Sequence, residues 1–219
     1  EATGLGRKGA LLPMDFHIRQ GELLGLAGLL GSGRTELARL LFGADKADSG
    51  AITMQGKPRH FHVPRDAIAA DIGFCSEDRK HEGAILSLSV RENIILALQA
   101  RTGLLRAIPF KRQQALADEY VKALGIKTAS IETPIGSLSG GNQQKALLAR
   151  WLVTSPAMLI LDEPMNGLDN QGVSDMRSLF LELKARGKTI LLASHNREDI
   201  ETLCDQVYEM DAGVLTRVR

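Results

Sequence analysis

Residues able to do chemistry gather at four places along the chain. Asp162 and Glu163 are adjacent carboxylates that follow a short apolar run, Met158 to Leu161. Such a run, bounded by turn signals after Pro156, predicts a buried parallel strand. Acidic side chains at its carboxyl end would face the crevice where α/β folds take their ligands. Upstream, Ser139-Gly140-Gly141 leads into Leu147, Leu148, Trp151 and Leu152, which share one helical face. A serine followed by two glycines predicts a helix start whose free N–H groups and dipole can hold an anion. The stretch GLLGSGRT, Gly28 to Thr35, follows the phosphate-loop pattern G-x-x-x-x-G-K-[ST] everywhere except at Arg34, which stands in the place of the lysine. Gly28, Gly31 and Gly33, with Ser32 among them, would let backbone N–H groups curl round phosphate oxygens, and Thr35 is placed to ligate magnesium. His195 closes the set, directly behind another apolar run. An anion-binding helix start, a phosphate loop and a strand ending in carboxylates together suggest a nucleotide and its magnesium.

Elements that must position these residues are legible from periodicity. Met14, Phe16 and Ile18 alternate with Asp15, His17 and Arg19, a half-buried strand. Glu22–Ala27, Ile52–Met54, Ile72–Cys75, Met158–Leu161 and Lys188–Ala193 read as further strands, the first running straight into the glycine loop. Leu37, Leu40 and Leu41 give the next segment a buried helical face, and Gly43 ends it. Ala67–Ala70, Ser89–Leu98, Lys111–Leu124 with Gly125 behind it, Gly172–Leu183 and Arg197–Leu203 read as helices. Asp211-Ala212-Gly213 turns a hairpin between Gln206–Met210 and Val214–Val218. The stretch RTGLLRAIPFKR, residues 101–112, is a loop mixing apolar and basic residues. His60 and His62 could hint at a metal, but no third ligand is evident and a surface position explains them.

Composition narrows the function classes. At 219 residues the chain is long enough for a full core, and its 44% hydrophobic and 24% charged residues are ordinary for a globular protein. A net charge of +1 without a basic run, and only 4% aromatic residues, argue against a nucleic-acid partner. The two cysteines, Cys75 and Cys204, read as free thiols of a reducing cytosol. No apolar stretch approaches the roughly 20 residues of a membrane span. Because the first residue is Glu1, the chain reads as an excised domain or a processed piece.

LSGGNQQ, then LILDEP, then GLD resembles the signature motif, Walker B and D-loop of ATP-binding-cassette ATPases. The resemblance implies an α/β fold of the P-loop NTPase (RecA-like) kind, with a mostly parallel sheet core, an antiparallel β part and an inserted helical lobe at about 76–138, all in one nucleotide-binding domain over 1–219. It implies ATP and Mg2+ as ligands, a second cassette as head-to-tail partner, transmembrane permease subunits, and a cytoplasmic place at the inner face of the cell membrane. On the family's pattern Gly28, Gly31, Ser32, Gly33, Arg34 and Thr35 hold the phosphates. Thr35 and Asp162 order the magnesium, Glu163 polarises the attacking water, and His195 contacts the γ-phosphate. Ser139, Gly140 and Gly141 cap the partner's ATP, and Asp169 communicates between sites. The family normally carries a glutamine where this sequence has Glu77, in SEDRK; a carboxylate there either faces the metal or belongs to a charged surface loop.

Arg34 is the departure with most consequence. Lysine acts at that position as a compact charge, whereas a guanidinium is planar and forked, so the geometry at the γ-phosphate should change. Cassettes also usually stack adenine on an aromatic roughly thirty residues earlier, and that window here is EATGLG. From about Met14 to Pro164 the marks GLLGSGRTEL, SEDRK, SVRENI and LSGGNQQK resemble the second cassette of ribose/galactose-type sugar importers. EPMNGLDNQG and LLASHNRED look more like exporter-type cassettes, which points either to a hybrid joined near 162–164 or to divergence within one lineage.

Overall fold

A computed structural model describes residues 1–103 and 106–219, so Leu104 and Leu105 of the 101–112 loop lie outside the described residues. In chain order the strands are β1 (Ala2–Arg7), β2 (Leu11–Phe16), β3 (Leu23–Ala27), β4 (Ser49–Met54), β5 (Lys57–Arg59), β6 (Ile72–Cys75), β7 (Met158–Asp162), β8 (Thr189–Ser194), β9 (Gln206–Asp211) and β10 (Val214–Arg217). The helices are α1 (Arg34–Phe42), α2 (Pro64–Ala69), α3 (Val90–Thr102), α4 (Phe110–Ala123), α5 (Gly140–Leu152), α6 (Asn170–Ala185) and α7 (Arg197–Leu203).

Contacts divide the chain into two units. The first comprises Glu1–Phe74, Ala157–Glu163 and Phe180–Arg219. It holds a six-stranded sheet in the order β10-β9-β3-β8-β7-β6 and a four-stranded sheet in the order β2-β1-β4-β5. In the larger sheet β3 lies parallel to both β8 and β9, and β7 parallel to β8, while β10 returns antiparallel on β9. Leu23, Leu24, Leu26, Leu159, Ile160 and Ile190–Leu192 are buried to within about a hundredth of their surface. Strands covered on both faces need such unbroken apolar runs, which is why β3, β7 and β8 could be read from the sequence. The pairing Ala27↔Ser194 and Asp162↔Ala193 brings the carboxyl ends of three strands level.

The smaller sheet was only partly legible. All its pairings are antiparallel, and β1 is an inner strand between β2 and β4. The Gly4 and Gly6 positions break its alternation, and its register shifts on both sides. A strand without a periodic apolar face leaves no two-residue signal, so Ala2–Arg7 was missed. β2 ends at Phe16, short of the expected Ile18.

The second unit comprises Cys75–Pro156 and Pro164–Leu179 and is helical. Ser89 caps α3 with a full capping box: its hydroxyl accepts from Glu92 N at 3.1 Å, and the Glu92 carboxylate accepts from Ser89 N at 2.8 Å. α4 stops at a residue followed by Gly125, whose φ of 58° lets the chain turn away. The buried Arg150 of α5 clamps α3 by donating to the Asn93 carbonyl and side chain, both at 2.8 Å, and to the Gly83 carbonyl at 2.6 Å. Burial pulls this guanidinium down to about 10. Arg79–Gly83 winds into a single π-helical turn; α6 begins in this unit and ends in the first.

Candidate functional site

At the carboxyl end of β3 the chain runs through Gly28–Gly33 into α1. Gly28 has no alternative at its position, because a Cβ there would lie 2.3 Å from the Met210 carbonyl oxygen. The loop is pinned from the far side as well: Gly213 N donates to Ser32 O at 2.8 Å, and Ser32 N to Leu29 O at 3.1 Å. Gly33 starts α1, and no side chain among the described residues caps that helix end. Two buried polar atoms face this loop region without a hydrogen-bond partner among the described residues, Ser32 Oγ and Arg34 Nε. A buried donor left unmade costs about 1–3 kcal/mol. Their presence, beside uncapped helical N–H groups, is what a phosphate group would satisfy.

Opposite the loop, β7 delivers Asp162 and Glu163, both buried. Glu163 has a φ of 45°, a left-handed conformation that costs a side-chain-bearing residue about 1–2 kcal/mol. Its N–H donates to Ala193 O at 2.9 Å, which ties that turn to β8. The strained turn swings the carboxylate onto two donors and up against the His195 ring. Arg34 Nη1 donates to Glu163 Oε1 at 2.6 Å, with both side chains about 95% buried. His195 N donates to the same oxygen at 2.8 Å, and His195 Nδ1 lies 2.9 Å from it. The phosphate-loop cation, the acid of β7 and the histidine after β8 thus form one connected cluster. Thr35, half-buried in the first turn of α1, and the buried Asp162 carry oxygens of the kind that could hold a hard cation. Among the described residues no group of three histidine, cysteine or acidic side chains could hold a metal, and His60 and His62 only stack on each other.

The remaining expected residues belong to the second unit. Ser139 is the N-cap of α5, yet its hydroxyl accepts from Asn142 Nδ2 at 2.8 Å rather than from the helix backbone. Gly140 and Gly141 form the first turn behind it. Asp169 accepts from Gly172 N at 2.8 Å and so caps α6. The Glu77 carboxylate accepts from Asn166 Nδ2 at 3.0 Å. Asn166 and Arg79 were given no role from the sequence. The sole signal was the density of charge in SEDRK, which fits a solvated loop equally well. The window EATGLG, where an adenine platform was expected, is the end of the chain and β1, without an aromatic.

A family model described as ABC transporter matches residues 11–166. The galactofuranose transporter ATP-binding protein YtfR of Escherichia coli O157:H7 is 51% identical over 205 residues, 94% of this chain and 41% of that protein. The fructose import ATP-binding protein FruK of Bifidobacterium longum is 44% identical over 207 residues, 94% of this chain and 40% of that protein. The chain therefore spans about two-fifths of the length of the curated relatives it matches. Among solved structures, cbiO1 from Clostridium perfringens, described as part of the ABC transporter complex cbiONQ, has a TM-score of 0.80 at 27% identity, over 98% of this chain and 85% of that one. Similarity to sugar-import proteins over 94% of the chain runs through most of the stretch after Pro164. The comparisons give no support to a seam near 162–164 or to an exporter-type last quarter.

Proposed function

The chain belongs to the ABC transporter family of ATPases, and we propose that it is one of two cassettes powering a carbohydrate importer, working chiefly on the ATP held by its partner. Among the described residues no helix is long and apolar enough to cross a membrane. On this reading the channel is built by separate permease subunits, and the cassette sits against the inner face of the membrane. The observation that carries the asymmetry is the buried Arg34–Glu163 pair: the phosphate-loop cation and the acid expected to orient water hold each other.

Gly28–Gly33 and the start of α1 would cradle the phosphates of this chain's own nucleotide, and Ser32 Oγ and Arg34 Nε would each gain the partner they lack. Thr35 and Asp162 would hold magnesium, which supplies charge neutralisation for the transferring phosphoryl group. Glu163 Oε1 already accepts from Arg34 Nη1 and His195 N, with His195 Nδ1 2.9 Å away. On this reading Arg34 must leave Oε1 for a phosphate before that oxygen is available to a water, and this slows turnover at the site. Ser139 and the amides of Gly140 and Gly141 would meet the partner's nucleotide, a helix start placing fixed dipoles where charge develops.

A second reading rests on the same ion pair and on the missing adenine platform: a folded nucleotide-binding module with little hydrolysis of its own. Base stacking is worth about 1–3 kcal/mol, so its absence weakens binding by about tenfold or more. Both readings are separated by measuring ATP hydrolysis by this chain alone and beside a cassette with a lysine phosphate loop. Gly141→Asp should abolish the activity of the pair, whereas Glu163→Gln should lower it by less than about twofold, as expected when one of two sites is already poor. Equal damage from the two variants means that both sites hydrolyse, and the asymmetric reading fails.

A further inference from the structure

We infer that Arg79 is a positioning residue that locks the Ser139–Gly141 turn to the Pro164–Asp169 segment, so that the two faces presented to a partner cassette behave as one piece. The inference rests on the proposed function for its catalytic meaning, but its structural half stands within the second unit alone.

The π-helical turn Arg79–Gly83 is held by its own backbone. Glu82 N and Gly83 N both donate to Asp78 O at 3.0 Å, and Ala84 N donates to Arg79 O at 2.6 Å. π turns recur at functional positions because they re-aim one side chain. Here that side chain is Arg79, whose Nη1 donates to Gly140 O at 3.0 Å, in the first turn of α5. Its guanidinium fills the space that side chains at two glycines would need. A Cβ on Gly140 would lie 3.2 Å from Nη1, and one on Gly167 would lie 2.9 Å from Nη2. Gly167, with φ at +67°, brings its own carbonyl within 3.4 Å of the same Gly140 position. Two backbone segments far apart in sequence therefore close on one planar cation.

Glu77 reinforces the same join, since it accepts from Asn166 at 3.0 Å, one residue before Gly167. SEDRK thus sends an acid to Asn166 and a base to Gly140 O, where it packs beside Gly167. A cation beside a helix N-terminus opposes the dipole, so stabilising α5 is not what Arg79 does best. What the fork does, and a lysine's single ammonium does not, is bond Gly140 O through Nη1 while Nη2 packs against Gly167. With Asp169 at the end of one segment and Ser139 at the head of the other, a displacement of either is transmitted to its neighbour.

Two amides report on the join: Gln143 N, which donates to Ser139 O at 2.9 Å, and Leu168 N, which donates to Met165 O at 3.2 Å. In Arg79→Ala, hydrogen exchange at both should accelerate by about ten- to a hundredfold, the equivalent of losing a charge-assisted hydrogen bond. Arg79→Lys should restore Gln143 and leave Leu168 fast. In a pair with a lysine-loop cassette, kcat should fall about tenfold in Arg79→Ala with KM for ATP within about twofold, because no phosphate-loop residue is touched. Arg79→Met, which keeps the stem and removes the fork, gives the same exchange pattern and serves if Arg79→Ala fails to fold. Unchanged exchange at either amide in Arg79→Ala overturns the inference, and so does normal kcat in a variant whose exchange has changed. A wild-type pair without ATPase activity is a different failure, that of the proposed function, and is visible before any variant is made.

Discussion

The buried contact between Arg34 and Glu163 is open to a double-mutant cycle on stability, with Arg34→Met and Glu163→Gln as the two single changes. The charged atoms are 2.6 Å apart and the side chains are 5% and 3% exposed. Taking the charge centres as about 4 Å apart at an effective dielectric near 20, the attraction is about 4 kcal/mol before desolvation. Desolvation of both ions offsets much of that, and a coupling of about 2 kcal/mol should remain. Arg34→Met strands a buried carboxylate that keeps only the His195 backbone N–H as a hydrogen-bond donor, and should cost about 3 kcal/mol. Glu163→Gln keeps an acceptor for the guanidinium and should cost about 2 kcal/mol. If the two residues were independent, the double variant would lose about 5 kcal/mol; coupled, it should lose about 3. Urea unfolding of the four proteins, with m compared across them, measures this directly. A coupling below about 0.5 kcal/mol lies within ordinary additivity. It would show that the contact does not hold the acid, and the argument for a self-engaged phosphate loop would fall with it.

Two further outcomes follow from packing and from charge. Gly25→Ala places a Cβ 2.7 Å from Cys204 Sγ and 3.1 Å from Ile200 Cδ1 between β3 and α7; it should cost about 1–3 kcal/mol, and Cys204→Ala should recover most of the loss in the thermal midpoint, whereas a cost unchanged by Cys204→Ala would locate the strain elsewhere. Glu92 accepts from the backbone and side chain of Ser89, which holds its carboxyl below the usual glutamate range, so the α3 cap contributes stability above a pH of about 4.3 that is lost as pH falls through the lowered folded value; Glu92→Gln should flatten this acid-side loss in a pH series of unfolding midpoints, and an unchanged slope would contradict the assignment.

Much of the fold and of the site was legible in the residues themselves, for a reason that separates two kinds of information. β3, β7 and β8 are covered on both faces, and burial of that kind imposes continuous apolar runs that any sequence must display. The amphipathic stripes of α1 and α5, the glycine loop and the acids after β7 are likewise local, since each follows from the order of neighbours along the chain. β1 and β5 lacked such a signal, because glycines interrupt the apolar alternation in the first and proline and charge replace it in the second. The cluster at the strand ends depended on more than neighbours. Arg34 lies 129 residues from Glu163, and Glu163 lies 32 from His195. The parallel register of β3, β8 and β7, with a left-handed turn at Glu163, decides that the three side chains meet and that they meet each other. The same holds for Arg79, whose motif announced charge but not direction. A π turn aims it at Gly140 and Gly167, and the absence of side chains at those two positions acquires its reason only when both backbones close on one guanidinium. Periodicity records what a residue must bury, while the pairing of distant strands and turns settles which charges share a site.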